Sequence, residues 1–390
     1  MSSFSFAKPK PAKENNFTTK KGYDNSPFRP LPAPTGPAPY RLDISKILGN
    51  GLSNTKMVFH CTGDTGGVKT PSDQQIVANK MEEQCTQAGV KPEDLPQFFY
   101  HLGDVVYYYG EEGNYHDQFF EPYIHYPGPI FAIAGNHDGD IDPTNPNPPE
   151  SLAAFVKVFC DKKPTPLKIA GDSNRTTMIQ PNVYWTLETP LATFIGLYCN
   201  DTEHGDIEEP QTSWFEGELK HAASLRKDKA IIVALHYPAF SVDNDHGSSS
   251  TMRTFLDNAF AKTNVYPDIV LTGHVHNYQR FTRTMPSNTQ VPYIVAGAGG
   301  YWNLHKVGSK SAPIYVPNSS FFPGVVMEEY SDDRHGFLRI TIEKTAQGRT
   351  LTGEYFTVPR PQESWSAAPD LYDYFVVDLD KHTVNNVKNK

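Results

Sequence analysis

Aspartate, asparagine and histidine close five short apolar runs in this 390-residue chain: MVFHCTGD (57–64), FFYHLGD (98–104), IFAIAGNHD (130–138), AIIVALHYP (230–238) and DIVLTGHVH (268–276). Oxygen and nitrogen donors of these types bind divalent and trivalent cations. The donors are Asp64, Asp104, Asn136, His236, His274 and His276, with Tyr107 three residues after Asp104. Each motif is weak by itself. A GD pair is usually a turn, a histidine ending a strand is usually structural, and a tyrosine followed by Tyr108 and Tyr109 is usually packing. HVH says more, because positions i and i+2 at a strand end send two imidazoles into one cavity. The ordered series, each member ending an apolar run, is the specific signal.

Some scaffold must bring these distant segments together. Buried strands read as continuous apolar runs, and polar residues clustered just past their C-terminal ends mark a site at the strand tips of an α/β sheet. A helix is expected over Ser72–Ala88, capped by Ser72 or Asp73, with Val77, Met81, Gln84/Cys85 and Ala88 at helical spacing. Further strands are expected at Val183–Glu188, Ala192–Tyr198, Tyr293–Ala296, Phe337–Glu343, Leu351–Thr357 and Tyr374–Asp378. TAQG is expected to form the hairpin turn between the strands at 337 and 351. The reading is a proline-rich arm over residues 1–50 and one large α/β domain over 51–390, two sheets packed together between helices. It ends in a C-terminal β-hairpin extension. The first 40 residues hold eight of the 33 prolines, which deny N–H donors and fix φ.

Composition excludes several classes of function. Lys and Arg number 35 against 44 Asp and Glu, a formal charge of −9, which disfavours nucleic-acid binding. The longest aliphatic stretch, Ala230 to Leu235, is far short of the ~20 residues of a membrane span. Four irregularly spaced cysteines (Cys61, Cys85, Cys160, Cys199) make neither a disulfide framework nor a zinc knuckle and read as free thiols. No apolar leader core is recognisable in MSSFSFAKPKPAKENNF, so a cytoplasmic location is the default expectation.

The ordered set resembles the calcineurin-like metallophosphoesterases, whose pattern D-x-[H/G], GD, GNH[D/E], strand-end His and GHxH stands here as DTG (64–66), GD (103–104), GNHD (135–138), LHYP (235–238) and GHVH (273–276). Within that superfamily it is similar to the purple acid phosphatases: Gly66 replaces the usual His, Tyr107 stands in GDVVY, and GHVHNYQR (273–280) matches GHxHxYxR. The resemblance implies a four-layer αββα sandwich of two mixed sheets flanked by helices, with a dinuclear metal site at strand C-terminal ends. The motifs span 64 to 280, and the fold is expected to reach about 345. Plant members carry an additional N-terminal β-domain, for which 50 residues are too few, so a short bacterial-type relative is implied.

The resemblance also assigns roles. Asp64, Tyr107, His276 and bridging Asp104 form site one; Asn136, His236, His274 and the same Asp104 form site two. Gly66 cannot bind metal, and Tyr107 is the available replacement. Three anions suit Fe(3+) at site one, and an amide with two imidazoles and the shared carboxylate suits Zn(2+), Mn(2+) or Fe(2+) at site two. With one bound hydroxide, such a pair keeps one positive charge to attract a phosphate oxyanion. The implied activity is hydrolysis of phosphomonoesters, of acid phosphatase type, by metal-activated hydroxide. His137 is expected to face the substrate phosphate, and His246, ten residues after His236, to bind phosphate or donate a proton.

The remaining candidates read otherwise. His60 and His101 lie inside apolar runs and are expected to be satisfied core histidines. His305, Lys306 and His335 belong to segments that could form a lid. GAGGY (297–301) reads as a strand-end turn lining the pocket, and no Walker-type loop is present. The substrates are expected to be small phosphate esters, with no nucleic-acid or membrane partner. Two rivals remain: a phosphodiesterase on the same fold, for example on cyclic nucleotides, and a non-catalytic phosphate-binding or scaffold protein, which predicts a lost ligand. A metallo-β-lactamase fold would need HxHxDH, which is absent.

Overall fold

The computed structural model describes residues 30–142, 144–199, 205–243, 245–308 and 319–386. Among them, nine strands form one sheet in the order Arg41–Asp43 (β1), Trp185–Glu188 (β5), Ala192–Gly196 (β6), Ala230–Ala234 (β7), Ile269–Thr272 (β8), Gln290–Ala296 (β10), Tyr278–Thr284 (β9), Val325–Ser331 (β12) and Ser319–Phe322 (β11). Seven form the other: Thr383–Asn386 (β16), Asp370–Asp378 (β15), Gly348–Thr357 (β14), Gly336–Thr345 (β13), Lys56–Thr62 (β2), Phe99–His101 (β3) and Ile130–Ala132 (β4). Both sheets are mixed. β6, β7, β8 and β10 run parallel in the first and β2, β3 and β4 in the second, while β13 pairs antiparallel with β2.

Strand alternation builds the layers. In β7, Ala230, Ile232 and Ala234 face a core shared with Phe59, Phe98, Phe131, Leu338 and Ile340 of the second sheet. Ile231 and Val233 face the other way, against helices Gln211–Leu225 and Ser250–Thr263. The second sheet's outer face (Phe99, Ile130, Ala132, Phe337) is covered by helices Pro71–Cys85 and Ala153–Phe159. Helix, sheet, sheet, helix is the four-layer αββα sandwich.

Several boundaries differ from expectation. The first helix spans Pro71–Cys85, not 72–88. Proline suits its first turn, where an N–H would be unpaired anyway. Neither Ser72 nor Asp73 caps it; Asp73 is buried, with Oδ1 3.4 Å from His335 Nδ1. The two helices over the first sheet and strand β9, directly after HVH, are additions to the expected elements. TAQG does close the hairpin, linking β13 to β14 at Gly348 (φ 132°). The sheet also runs beyond residue 345, through β14, β15 and β16.

Residues 1–29 of the expected arm lie outside the described residues. From there the chain follows the body: Thr35 and Gly36 donate backbone N–H groups to Pro181 O (3.0 and 2.9 Å), and β1 pairs parallel with β5. All four cysteines are free and buried. Among the described residues, no helix is long and apolar enough to cross a membrane.

Candidate metal centre

Parallel pairing aims the C-terminal ends of β2, β3 and β4 one way in their sheet, and β7 and β8 likewise in theirs, so the five donor loops meet at one edge. The chain turns sharply there. Asp64, Asp104 and His274 have φ of 56°, 54° and 68°, a left-handed backbone uncommon outside glycine that surrounding structure must hold. The loops also touch closely: a Cβ on Gly135 would lie 2.1 Å from Asp104 Oδ1. Only glycine permits that approach.

Two clusters of donors result. In the first, Asp64 Oδ1 lies 3.5 Å from the Tyr107 hydroxyl and 3.6 Å from His276 Nε2. In the second, Asn136 Oδ1 lies 3.1 Å from both His236 Nε2 and His274 Nδ1. Asp104 stands between them. Its Oδ1 is 3.4 Å from His236 Nε2 and accepts the His137 N–H (2.9 Å), and its charge acts on the Tyr107 phenol. Thus all seven residues singled out as ligands converge. Backbone carbonyls select the free imidazole nitrogens: His236 Nδ1 donates to Leu102 O (2.8 Å) and His276 Nδ1 to Asn303 O (3.0 Å), leaving both Nε2 atoms inward.

The electrostatics of this donor set fit cations. Burial, with Asp104 adding to it, pushes Asp64 well above the usual carboxylate range, although His236 acts against this. Burial, then Asp104 and Asp64, likewise pushes Tyr107 up. Burial opposes the Asp104 carboxylate too, but His236 and His137 outweigh it and hold it near 2. His274 and His276 are pushed far down by burial and then by neighbouring imidazoles, which leaves them in the neutral form that binds metal. The Asp64 carboxylate and the Tyr107 phenol, which resist ionisation, are relieved by positive charge placed between them and the neutral imidazoles of His274 and His276.

His137 and His246 flank the centre. His137 packs on Tyr107 (4.5 Å between centroids), and its Nδ1 donates to Tyr108 O (3.0 Å). His246 lies 4.4 Å from the His274 ring and 6.0 Å from that of His276. Burial and then His305 push its imidazole down to about 3.

Supporting residues carry no motif of their own. Asp138 accepts the N–H groups of Gly135 (2.8 Å), Val105 (3.1 Å) and Val106 (3.3 Å), tying the GNHD loop to the GD loop. His101 is a core histidine that also joins the loops of Asp64 and Asp104, since its ring bonds Thr65 Oγ1 (2.9 Å) and accepts the Gly103 N–H (3.2 Å). His60 bonds Tyr126 (3.1 Å) and Gln84 (3.2 Å), away from the centre. From GAGGY, Tyr301 stacks on Tyr107 at 4.2 Å and meets His276 at 4.5 Å; His335 holds its carbonyl (2.9 Å). In HNYQR, Tyr278 and Arg280 both reach Asp373 of β15 (2.6 Å each) and lock the sheets together. His305 lies 4.3 Å from His276 and is buried, a neighbour of the donor set.

Donors at these strand tips on this sandwich define a class, and residues 57–278 match the family model of the calcineurin-like phosphoesterases. The chain belongs to that family. Among curated proteins it is similar to purple acid phosphatases: 28% identical over 297 residues to the Fe(3+)-Zn(2+) purple acid phosphatase 12 of Arabidopsis thaliana, covering 69% of this chain and 54% of that one. Purple acid phosphatase 1 of Ipomoea batatas is 27% identical over 191 residues, 48% of this chain and 35% of that one. The chain therefore spans about half the length, or less, of these curated relatives. Among solved structures, PhoD superposes with a TM-score of 0.53 at 14% identity, covering 92% of this chain and 74% of its own. GAP50, the anchor in the inner membrane complex of Plasmodium, gives 0.52 at 15% identity over 86% and 90%. At such identities these two show the shared fold alone.

Proposed function

We propose that this protein is a dinuclear metal-dependent phosphoesterase hydrolysing small phosphomonoesters. Asp64, Tyr107 and His276 would hold a ferric ion, Asn136, His236 and His274 would hold Zn(2+), Mn(2+) or Fe(2+), and Asp104 would serve both. The observation that carries the reading is the pairing of donors: Asn136 Oδ1 is 3.1 Å from two imidazole nitrogens, while Asp64 Oδ1 faces a phenol and a third imidazole. The similarity to an Fe(3+)-Zn(2+) enzyme supports the choice of metals. When bound, the two ions supply Lewis acidity to phosphoryl oxygens and to water. The protein's own part is to fix the donors on strained strand tips, to keep His236 and His276 in the tautomer that presents Nε2, and to set His137 and His246 on either side of the phosphate.

The scaffold reading predicts a lost ligand; all seven positions are filled and gathered, which favours catalysis. The test is hydrolysis of adenosine 5′-monophosphate against its 3′,5′-cyclic diester by protein loaded with Fe(3+) and Zn(2+). Faster turnover of the monoester is expected. Preference for the diester would replace this reading with the phosphodiesterase, and two bound metals with no turnover of either would replace it with the binding protein.

A further inference from the structure

Beside His276, three segments are laced together. Val242 N–H donates to Gln279 Oε1 (2.8 Å), and Gln279 Nε2 donates to Ser241 Oγ (3.0 Å) and Asn277 Oδ1 (2.9 Å). Asn277 Nδ2 donates to His305 O (3.0 Å), whose own N–H donates to His276 O (3.0 Å). Gly308 N–H closes the seam on Val242 O (2.7 Å). Asn277 and Gln279 thus fasten the loop after β7 and the segment 305–308 to the entry of β9.

Asp243 lies at the centre of this seam, its side chain 0% exposed. Its Oδ2 accepts the backbone N–H groups of Asp245 (3.0 Å) and His246 (2.8 Å) and sits 3.3 Å from His305 Nδ1. The His305 ring, also buried, lies 4.8 Å from that of His246 and 4.3 Å from that of His276. A carboxylate taking two consecutive N–H groups fixes the loop backbone. The imidazole beside it packs against the His246 ring.

We infer that Asp243 and His305 are positioning residues that set His246 against the metal centre, Asp243 through its backbone and His305 through its ring, and so set the affinity of the site for a phosphate oxyanion. The inference rests on the placement of His246 beside the phosphate proposed above. Neither residue touches the phosphate; both act through His246.

The experiment is a double-mutant cycle on the metal-loaded full chain, with the dissociation constant of inorganic phosphate measured by calorimetry and metal content by elemental analysis. Asp243→Asn, His305→Ala and His246→Ala should each weaken phosphate by about tenfold with two metals retained, and Asp243→Asn/His246→Ala by no more than about twofold beyond the weaker-binding single variant. Merely structural damage would lower metal content or add to the His246 loss. Losses that multiply, to about a hundredfold in the double variant, overturn the inference. So does unchanged phosphate binding in Asp243→Asn and His305→Ala, or normal binding in His246→Ala beside weakened binding in Asp243→Asn. A third metal equivalent lost only in Asp243→Asn also overturns it, because Asp243, Asp245 and His305 would then be holding a cation. Should Asp243→Asn not fold, the cycle is run with His305→Ala and the same limits. Wild-type protein that binds phosphate but hydrolyses no ester would end the phosphatase reading and leave this cycle readable.

Discussion

The ring of Tyr107 occupies the space that a side chain on residue 66 would need: a Cβ on Gly66 would lie 2.6 Å from Tyr107 Cδ2. The two positions act as one choice. A ligand side chain at position 66 and the ring of Tyr107 exclude one another, while Asp64, from the same loop as Gly66, stands beside either. Tyr107 is also gripped from its backbone, with its N–H on Gln118 Oε1 (2.8 Å) and its carbonyl accepting from Gln118 Nε2 (3.1 Å) and Asn114 Nδ2 (2.9 Å).

Colour should follow from this choice. A phenolate on Fe(3+) absorbs in the visible by charge transfer, so iron-loaded protein should be coloured and Tyr107→Phe colourless. Gly66→Ala should shift or bleach the band as well, because its methyl group and the phenol compete for one volume. Tyr108→Phe should keep the colour. Bleaching by Tyr108→Phe instead of Tyr107→Phe would show that the wrong tyrosine has been assigned.

Metal content should separate the bridge from a single-site ligand. Asp104 lies 3.4 Å from His236 of the second cluster and its charge acts on Tyr107 of the first, whereas Asn136 Oδ1 meets the two imidazoles of the second. Asp104→Ala should lose or scramble both ions, whereas Asn136→Ala should lose chiefly the divalent one. Elemental analysis decides, and a stoichiometry near two in purified Asp104→Ala would remove Asp104 from the bridging role.

Six members of the donor set were legible because each stands just past the end of a strand, where an apolar run stops at polar letters, and Tyr107 because GDVVY resembles a family motif. What supports the set was not. The helix Gln211–Leu225 carries a small stripe, Phe215, Leu219 and Ala222, and buries Gln211 and Glu218 on the same side. Gln211 is there to clasp the Tyr198 backbone (2.9 and 2.8 Å), and Glu218 to pair Arg41 (2.7 Å) and Thr186 (2.7 Å). Buried polar groups with such partners blur the apolar period that marks a helix. Likewise the partners of Arg280 and His305 lie on other strands or loops, and no local spacing announces Asp373 or Asp243.

Acid should weaken the fold through its core histidines. Burial pushes His60 and His101 from the usual 6.5 down to about 3. Below pH 6.5 the unfolded chain takes up protons that the folded chain refuses, so stability falls as pH drops from 6.5 towards 3. The slope is at most about 1.4 kcal/mol per pH unit for each residue. Urea unfolding at pH 7.5 and pH 5, at saturating metal, should show a loss of about 2 kcal/mol per histidine, smaller by that amount in His60→Gln. An equal loss in wild type and His60→Gln would exclude His60 as a source.

Protonation of the leaving group should separate the two flanking histidines. An alkoxide leaves phosphorus badly and needs a proton or a positive charge at the ester oxygen, whereas p-nitrophenolate does not. His137 is held by Tyr108 O and the Tyr107 ring, so its ring keeps a fixed pose beside the donor set. His246 stands on the other side, over His274. Burial and His305 hold its imidazole down to about 3. A bound phosphate dianion acts in the reverse sense and favours the protonated donor. His246→Ala should therefore slow alkyl phosphates by about 10²-fold or more beyond its effect on p-nitrophenyl phosphate, within the range of general-acid contributions. His137→Ala should slow both alike. Steady-state kinetics on the two substrate classes decide: selective loss in His137→Ala with an even loss in His246→Ala exchanges the two roles, and no selective loss in either assigns the proton to another group.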